Sequence, residues 1–126
     1  MPQRFYITTP IYYVNDVPHI GHAYTTITAD VLARYFATNL PYDVFFLTGV
    51  DEHGQKVQQA AETENKSPQV YCDGLARDWK ALAEKLGLTN DDFIRTTEER
   101  HKLVVQAMLS KLHAAGHIYK ATYKGF

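Results

Sequence analysis

Pro18-His19-Ile20-Gly21-His22 stands at the passage from a strand to a helix, and that passage decides the fold. Before it, Phe5-Tyr6-Ile7-Thr8-Thr9 is a short aromatic and β-branched run stopped by Pro10, which predicts a buried strand. After it, Ile20, Tyr24, Ile27, Val31 and Tyr35 recur at steps of four, three, four and four, one face of a helix running to about Asn39. Core packing is the expectation for Tyr24 and Tyr35 on that stripe. The segment between, from Pro10 to Pro18, is a loop of unusually apolar composition. The helix opens on two imidazoles around a glycine, at the end whose free N–H groups attract anions.

Further along, Val44-Phe45-Phe46-Leu47 is a continuous apolar run, the mark of a parallel strand buried on both faces. It ends in Thr48-Gly49-Val50-Asp51-Glu52-His53-Gly54, where polar and flexible residues cluster, and a short polar helix is expected from Gln55 to Glu62. Ser67 and Pro68 start a helix as N-cap and first residue, with Tyr71, Leu75, Trp79, Leu82 and Leu86 as its stripe and Gly87 as its stop. Phe93-Ile94-Arg95 predicts a brief strand, and Thr96-Thr97-Glu98-Glu99 has capping-box spacing, Thr96 as N-cap and Glu99 reaching back. The next helix carries Val105, Met108, Leu112 and Ala115, widened by Leu109, and closes at Gly116. Strand alternation is expected over Ile118–Tyr123, before the chain stops at Phe126. Alternating strands and helices predict an α/β doubly wound parallel sheet, whose ligands sit outside the carboxyl ends of the strands. Both polar clusters, His19 to His22 and Asp51 to Gly54, fall at that edge.

Composition narrows the classes. At 126 residues the chain is long enough for one domain with a real core and short for two. Its 45% hydrophobic and 21% charged residues are those of a soluble globular protein, and a formal charge of −1 lacks the footprint of a nucleic-acid binder. One cysteine, Cys72, excludes an internal disulfide and fits a reducing compartment. Met1-Pro2-Gln3-Arg4 leads straight into the first strand with no signal-peptide core, and no apolar run approaches the roughly 18 to 20 residues that cross a bilayer.

Each cluster has a plainer reading beside the chemical one. His19 and His22 could be a solvated helix start, or a metal pair that would need Asp51 or His53 to complete it. For phosphate binding, Gly21 allows close backbone approach and the imidazoles donate hydrogen bonds. The Asp51 cluster is either a polar loop or a carboxylate for a ligand ammonium, with Asp51 nearest the strand end. His101, His113 and His117 read as exposed helix residues, and Cys72 as inert.

Thr8-Thr9-Pro10-Ile11-Tyr12-Tyr13-Val14-Asn15, Pro18-His19-Ile20-Gly21-His22-Ala23-Tyr24 and Phe46-Leu47-Thr48-Gly49-Val50-Asp51-Glu52-His53-Gly54-Gln55-Lys56 together resemble the methionyl-tRNA synthetase family. The resemblance continues through Asp92-Phe93-Ile94-Arg95-Thr96-Thr97 and Ile118-Tyr119-Lys120, over essentially the whole chain. Several blocks in order are more specific than the histidine motif, which many class I synthetases and nucleotidyltransferases share. The resemblance implies a class I aminoacyl-tRNA synthetase, with residues 1–126 as the N-terminal half of its Rossmann-like catalytic domain, ending near the family's connective insertion. It implies His19 and His22 as catalytic residues, and His19, Gly21 and His22 as contacts to ATP. Asp51 would hold the amino group of methionine, and Pro10, Ile11 and Tyr13 would line the methionine pocket. Tyr12 and His53 are further candidates. ATP with Mg2+ is implied as substrate, with no metal site among these residues. L-methionine and tRNA(Met) are the other implied partners, the latter through regions mostly outside this chain, in the cytoplasm or, with a leader removed, in an organelle.

The family's Lys-Met-Ser-Lys-Ser signature, its insertion, the second half of its nucleotide fold and its anticodon-binding domain are not in this sequence. The expectation is a fragment, or a chain working with a second polypeptide that carries the rest. Two other classes remain: a small His-x-Gly-His nucleotidyltransferase, and a non-catalytic module binding methionine or nucleotide. The first lacks support in Tyr12-Tyr13-Val14-Asn15-Asp16-Val17-Pro18, which has no Gly-x-Phe-Asp-Pro lead.

Overall fold

Aromatic and β-branched residues at the N-terminal side form β1 (Gln3–Thr8), and the apolar run of the second block forms the long β3 (Tyr42–Asp51) parallel to it, Phe5 opposite Val44 and Ile7 opposite Phe46. The computed structural model describes residues 3–124, so the readings at Met1, Pro2 and Phe126 lie outside the described residues. The apolar loop holds a strand that sequence pattern did not announce, β2 (Tyr12–Tyr13), pairing in parallel with Val50 and Asp51. On β3, the partners of β4 (Asp92–Arg95), Leu47 to Val50, overlap those of both β1 and β2. A strand has two edges, so β1 and β2 follow one another along one edge of β3 and β4 takes the other.

Three helices belong to this sheet: α1 (Ile20–Asn39), α2 (Gln55–Thr63) and α3 (Pro68–Lys85). α1 packs Ala29 and Ala33 on Phe46, with Ile7 and Val44 beside them. α3 and α2 bring Tyr71, Cys72, Leu75, Trp79, Val57 and Ala61 to Tyr12, Val14 and Val50. Phe46 and Val50 share one face of β3, so α1 and α3 share it too, as two right-handed crossovers moving in one direction require. Close strand approach depends on Gly49, where a Cβ would come within 2.2 Å of the Ile94 carbonyl oxygen.

Four expectations need correction, the fourth of them at the start of the last helix. First, the stripe assigned to the core on α1 faces outward: Ile20, Tyr24 and Val31 are 87%, 74% and 58% exposed, and Ile27 and Tyr35 are exposed too. The buried face is Thr26, Ala29, Asp30 and Ala33, nearly opposite at 3.6 residues per turn. Small side chains let the helix approach Phe46, whereas the large ones face away from this sheet. Second, the apolar run of β3 is not buried on both faces, since Phe45 is exposed and lies beside exposed Tyr6, ring centroids 5.9 Å apart. Third, Ile118–Tyr123 forms no strand.

Two compact units divide the chain, Met1–Thr96 and Thr97–Phe126. The second contains α4 (Glu99–Ala114), which starts after Glu98 with no side-chain cap and buries none of its residues. The capping box expected at Thr96 and Glu99 does not form, because the Thr96 hydroxyl is engaged elsewhere. No helix among the described residues is long and apolar enough to cross a membrane.

Candidate functional site

The loop after β2 delivers Pro18 and His19 to the start of α1, and the two histidines close that start upon each other. His19 is the N-cap: its Nδ1 accepts the Gly21 backbone N–H at 3.1 Å, while His22 Nδ1 accepts the His19 N–H at 3.2 Å. This is a capping box made with imidazoles in place of hydroxyl and carboxylate. Both Nδ1 atoms receive N–H donors, so both carry lone pairs, and the proton of each neutral ring sits on Nε2. The rings stack with centroids 3.7 Å apart. A Cβ at Gly21 would meet His19 Cε1 at 3.0 Å and Nδ1 at 3.2 Å, so the glycine makes room for the ring that caps the helix.

His22 is partly buried against two aromatic rings. Tyr12 and Trp79 stack 4.9 Å apart, and the His22 ring leans on both at 4.8 and 4.7 Å. Burial first, then the neighbouring His19, lowers its pKa below the ordinary 6.5. Alternation along β2 separates Tyr12 from Tyr13: Tyr12 is buried under α1, and Tyr13 is exposed. The Thr26 hydroxyl donates to the His22 carbonyl at 2.9 Å and receives the Tyr12 hydroxyl at 2.9 Å, fixing the tyrosine to the helix it supports. Trp79 Nε1 is buried without a hydrogen-bond partner among the described residues.

Two open cavities meet at Tyr13. One, of about 360 Å³, is lined by Ile11, Tyr12, Tyr13, His19 and His22 among others. The other, of about 370 Å³, is lined by Tyr13, Asp51, His53, Gly54, Gln55, Lys56 and Val57. Tyr13 lies opposite Asp51 in the β2–β3 register, which joins them. Pro10 lines neither cavity; its exposed ring follows a buried pair, Thr9 and Thr48, whose hydroxyls lie 2.6 Å apart. Thr9 gives its own proton to the Pro10 carbonyl at 2.9 Å, so Thr48 is the donor between them.

At the end of β3, Asp51 is partly buried, and its Oδ1 accepts the His53 N–H at 3.3 Å and faces the Thr96 hydroxyl at 3.4 Å. His53 Nε2 lies 3.3 Å from the Thr96 carbonyl. Beneath this turn the Glu52 carboxylate is fully buried and takes Arg95 Nε at 2.8 Å; Arg95 reaches on to Asp73 of α3 at 2.5 Å. Burial works against the Arg95 charge, but the hydrogen bonds from it to Asp73 and Glu52 outweigh that and raise its pKa. The Cys72 thiol, buried and close to Glu52, is pushed up to about 11, which keeps it protonated and unreactive. Among the described residues no group of three or more His, Cys, Asp or Glu side chains could hold a metal ion.

Of the candidates singled out in the sequence, Ile11, Tyr12, Tyr13, His19 and His22 line the first cavity and Tyr13, Asp51 and His53 the second, while Gly21, like Pro10, lines neither. Three supporting residues were not singled out. Trp79 was visible only as one member of an apolar helix stripe. Arg95 and Thr96 were read as a strand end and a helix cap. A parallel strand whose carboxyl end abuts that of β3 was the available signal for both.

The family described as tRNA synthetases class I (M) matches residues 5–126. The methionine–tRNA ligase of Thermotoga maritima is 58% identical over 123 residues, 98% of this chain and 19% of that protein. The methionine–tRNA ligase of Rickettsia bellii is 52% identical over 126 residues, 100% of this chain and 25% of that protein. The chain therefore spans 19% to 25% of the length of these relatives. Among solved structures, Mycobacterium tuberculosis methionyl-tRNA synthetase bound by methionyl-adenylate superposes with a TM-score of 0.88 at 38% identity, covering 90% of this chain and 22% of that one.

Proposed function

This chain belongs to the class I tRNA synthetases of the M family, and from that premise we propose that it forms the N-terminal half of a methionine-activating site. The complete protein would join L-methionine to ATP, supplied as its Mg2+ complex, giving methionyl-adenylate and pyrophosphate. It would then pass the methionyl group to tRNA(Met) in the cytoplasm. The observation that carries this reading is the pair of imidazoles at the start of a long helix, each with its Nδ1 engaged by a backbone N–H, in a cavity that shares Tyr13 with that of Asp51.

The chemistry suits these residues. Methionine's carboxylate is ionised at neutral pH, so its attack on the α-phosphate needs no general base. Rate then depends on alignment and on donors aimed at charge that grows on the phosphates as pyrophosphate leaves. His19 and His22 supply such donors, held by the cap and by ring stacking before substrate arrives. Removing one preorganised donor of this kind costs about 3 kcal/mol of activation. Asp51 would take the α-ammonium of methionine, and Ile11 and Tyr13 would form part of an apolar wall for the thioether. Pro10, next to Ile11 in the chain but outside both cavities, would extend that wall, with Tyr12 lining the same cavity as Ile11 and the His53 N–H donating to Asp51.

Two surfaces support a remainder of the enzyme packing on this chain, in the same polypeptide or a second one. The large residues of the α1 stripe are exposed, and so is the Tyr6–Phe45 pair on the sheet face away from α1. A tRNA surface and the lysine-bearing half of the phosphate clamp would lie in that remainder.

Asp51→Ala in the full-length protein tests the reading by methionine-dependent ATP–pyrophosphate exchange. A charge-assisted hydrogen bond lost from the ammonium should raise the methionine KM roughly 10- to 100-fold and leave the ATP KM within about twofold. Equal weakening of both substrates would assign Asp51 a structural role, and exchange that ignores methionine would remove the synthetase reading.

A further inference from the structure

We propose that Thr96, at the end of β4, is the positioning residue for the Asp51 carboxylate, setting which of its oxygens meets the substrate ammonium. The inference rests on the reading above, in which Asp51 receives that ammonium. It begins from the buried Thr96 hydroxyl, which accepts the Glu52 backbone N–H at 2.9 Å. With its lone pair so engaged, the hydroxyl turns its proton to its other oxygen neighbour, Asp51 Oδ1 at 3.4 Å. That length is at the long end for an O–H···O bond. The His53 N–H reaches the same oxygen at 3.3 Å. Both donors fall on Oδ1, which fixes the plane of the carboxylate and leaves Oδ2 for a ligand.

Thr96 is itself held from several sides. Its N–H donates to the Val50 carbonyl at 3.3 Å, continuing the β3–β4 ladder by one residue, and its carbonyl lies 3.3 Å from His53 Nε2. The preceding residue, Arg95, is tied to fully buried Glu52 at 2.8 Å and to Asp73 at 2.5 Å. The N–H that donates to Thr96 and the carboxylate that holds the preceding Arg95 thus belong to one residue, Glu52. This arrangement explains why the expected helix cap at Thr96 is absent: the hydroxyl that would cap α4 is spent on the end of β3.

The test is Thr96→Val and Thr96→Ser in the full-length protein, beside Asp51→Asn, read by ATP–pyrophosphate exchange. Valine keeps the branched shape and removes the hydroxyl; serine keeps the hydroxyl. Thr96→Val is expected to raise the methionine KM about tenfold, with the ATP KM and the kcat at saturating methionine within about twofold of wild type, and Thr96→Ser to restore the methionine KM. A merely structural threonine would move both KM values together or lower kcat alone, and either result overturns the proposal. So does an unchanged methionine KM in Thr96→Val when Asp51→Asn raises it. If Asp51→Asn also leaves the methionine KM unchanged, the ammonium reading fails first and this inference with it.

Discussion

The reciprocal cap at the start of α1 requires both Nδ1 atoms to keep their lone pairs, because each receives a backbone N–H. Protonating either ring at Nδ1 therefore breaks a cap bond as well as adding charge. For His22, burial and then His19 already hold the pKa below 6.5. The sign follows: the unfolded chain takes the proton near its ordinary value, and the folded chain resists it. His22 thus contributes stability that is complete above pH 6.5 and is lost as pH falls through the depressed folded value. The expected result is a His22 imidazole titration by NMR with its midpoint below 6.5, and exchange activity that falls on the same acid limb. A midpoint above 6.5 would show that the His22 ring is not held neutral. At this scale the motif was legible in sequence as two imidazoles and a glycine at a helix start. Its tautomers were not, since they depend on ring orientation.

Between elements, Asp30 joins α1 to the turn after α3. Its buried carboxylate accepts Thr89 N–H at 2.6 Å, the Thr89 hydroxyl at 2.7 Å and Arg34 Nε at 2.7 Å, and Arg34 also donates to the Gly87 carbonyl. Burial pushes the Asp30 pKa up, but the hydrogen bonds from Arg34 and Thr89 prevail and hold it below the usual 3.8. Its contribution is present above pH 3.8 and is lost as pH falls through the folded value. Asp30→Ala should destabilise the fold by about 2 kcal/mol in urea unfolding near neutral pH, since it leaves a backbone donor without its partner. That difference should shrink as pH falls toward and below the Asp30 pKa, and a difference that persists undiminished would place the cost elsewhere. Helix existence was largely legible here, down to Ser67 accepting the Val70 N–H at 3.4 Å. Capping was not, because Thr96 satisfies the spacing rule and then serves a strand distant in sequence.

For the molecule as a whole, the outward stripe of α1 and the open Tyr6–Phe45 face are more apolar than a finished surface needs to be. If the rest of a longer protein covers them, Val31→Glu should cost the full-length protein about 2 kcal/mol by burying a charge, and should change this chain alone by less than about 0.5 kcal/mol. Equal effects in both, measured by chemical unfolding, would mean that the stripe stays open. Periodicity found that stripe and misassigned what it faces, because a period reports that a helix side is apolar without naming the surface it meets. By itself the sequence determined the alternation of strands and helices, the parallel sheet, the family blocks, and the two polar clusters at the carboxyl ends of the strands. The family blocks rest on resemblance; the rest follow from local propensity and spacing. Only the tertiary structure decided that small residues carry α1 onto the sheet, that Tyr12 and Trp79 brace His22, and that Arg95 and Thr96 set the end of β3. Those outcomes depend on which distant segments approach each other, and one chain direction holds no record of that until the sheet is assembled.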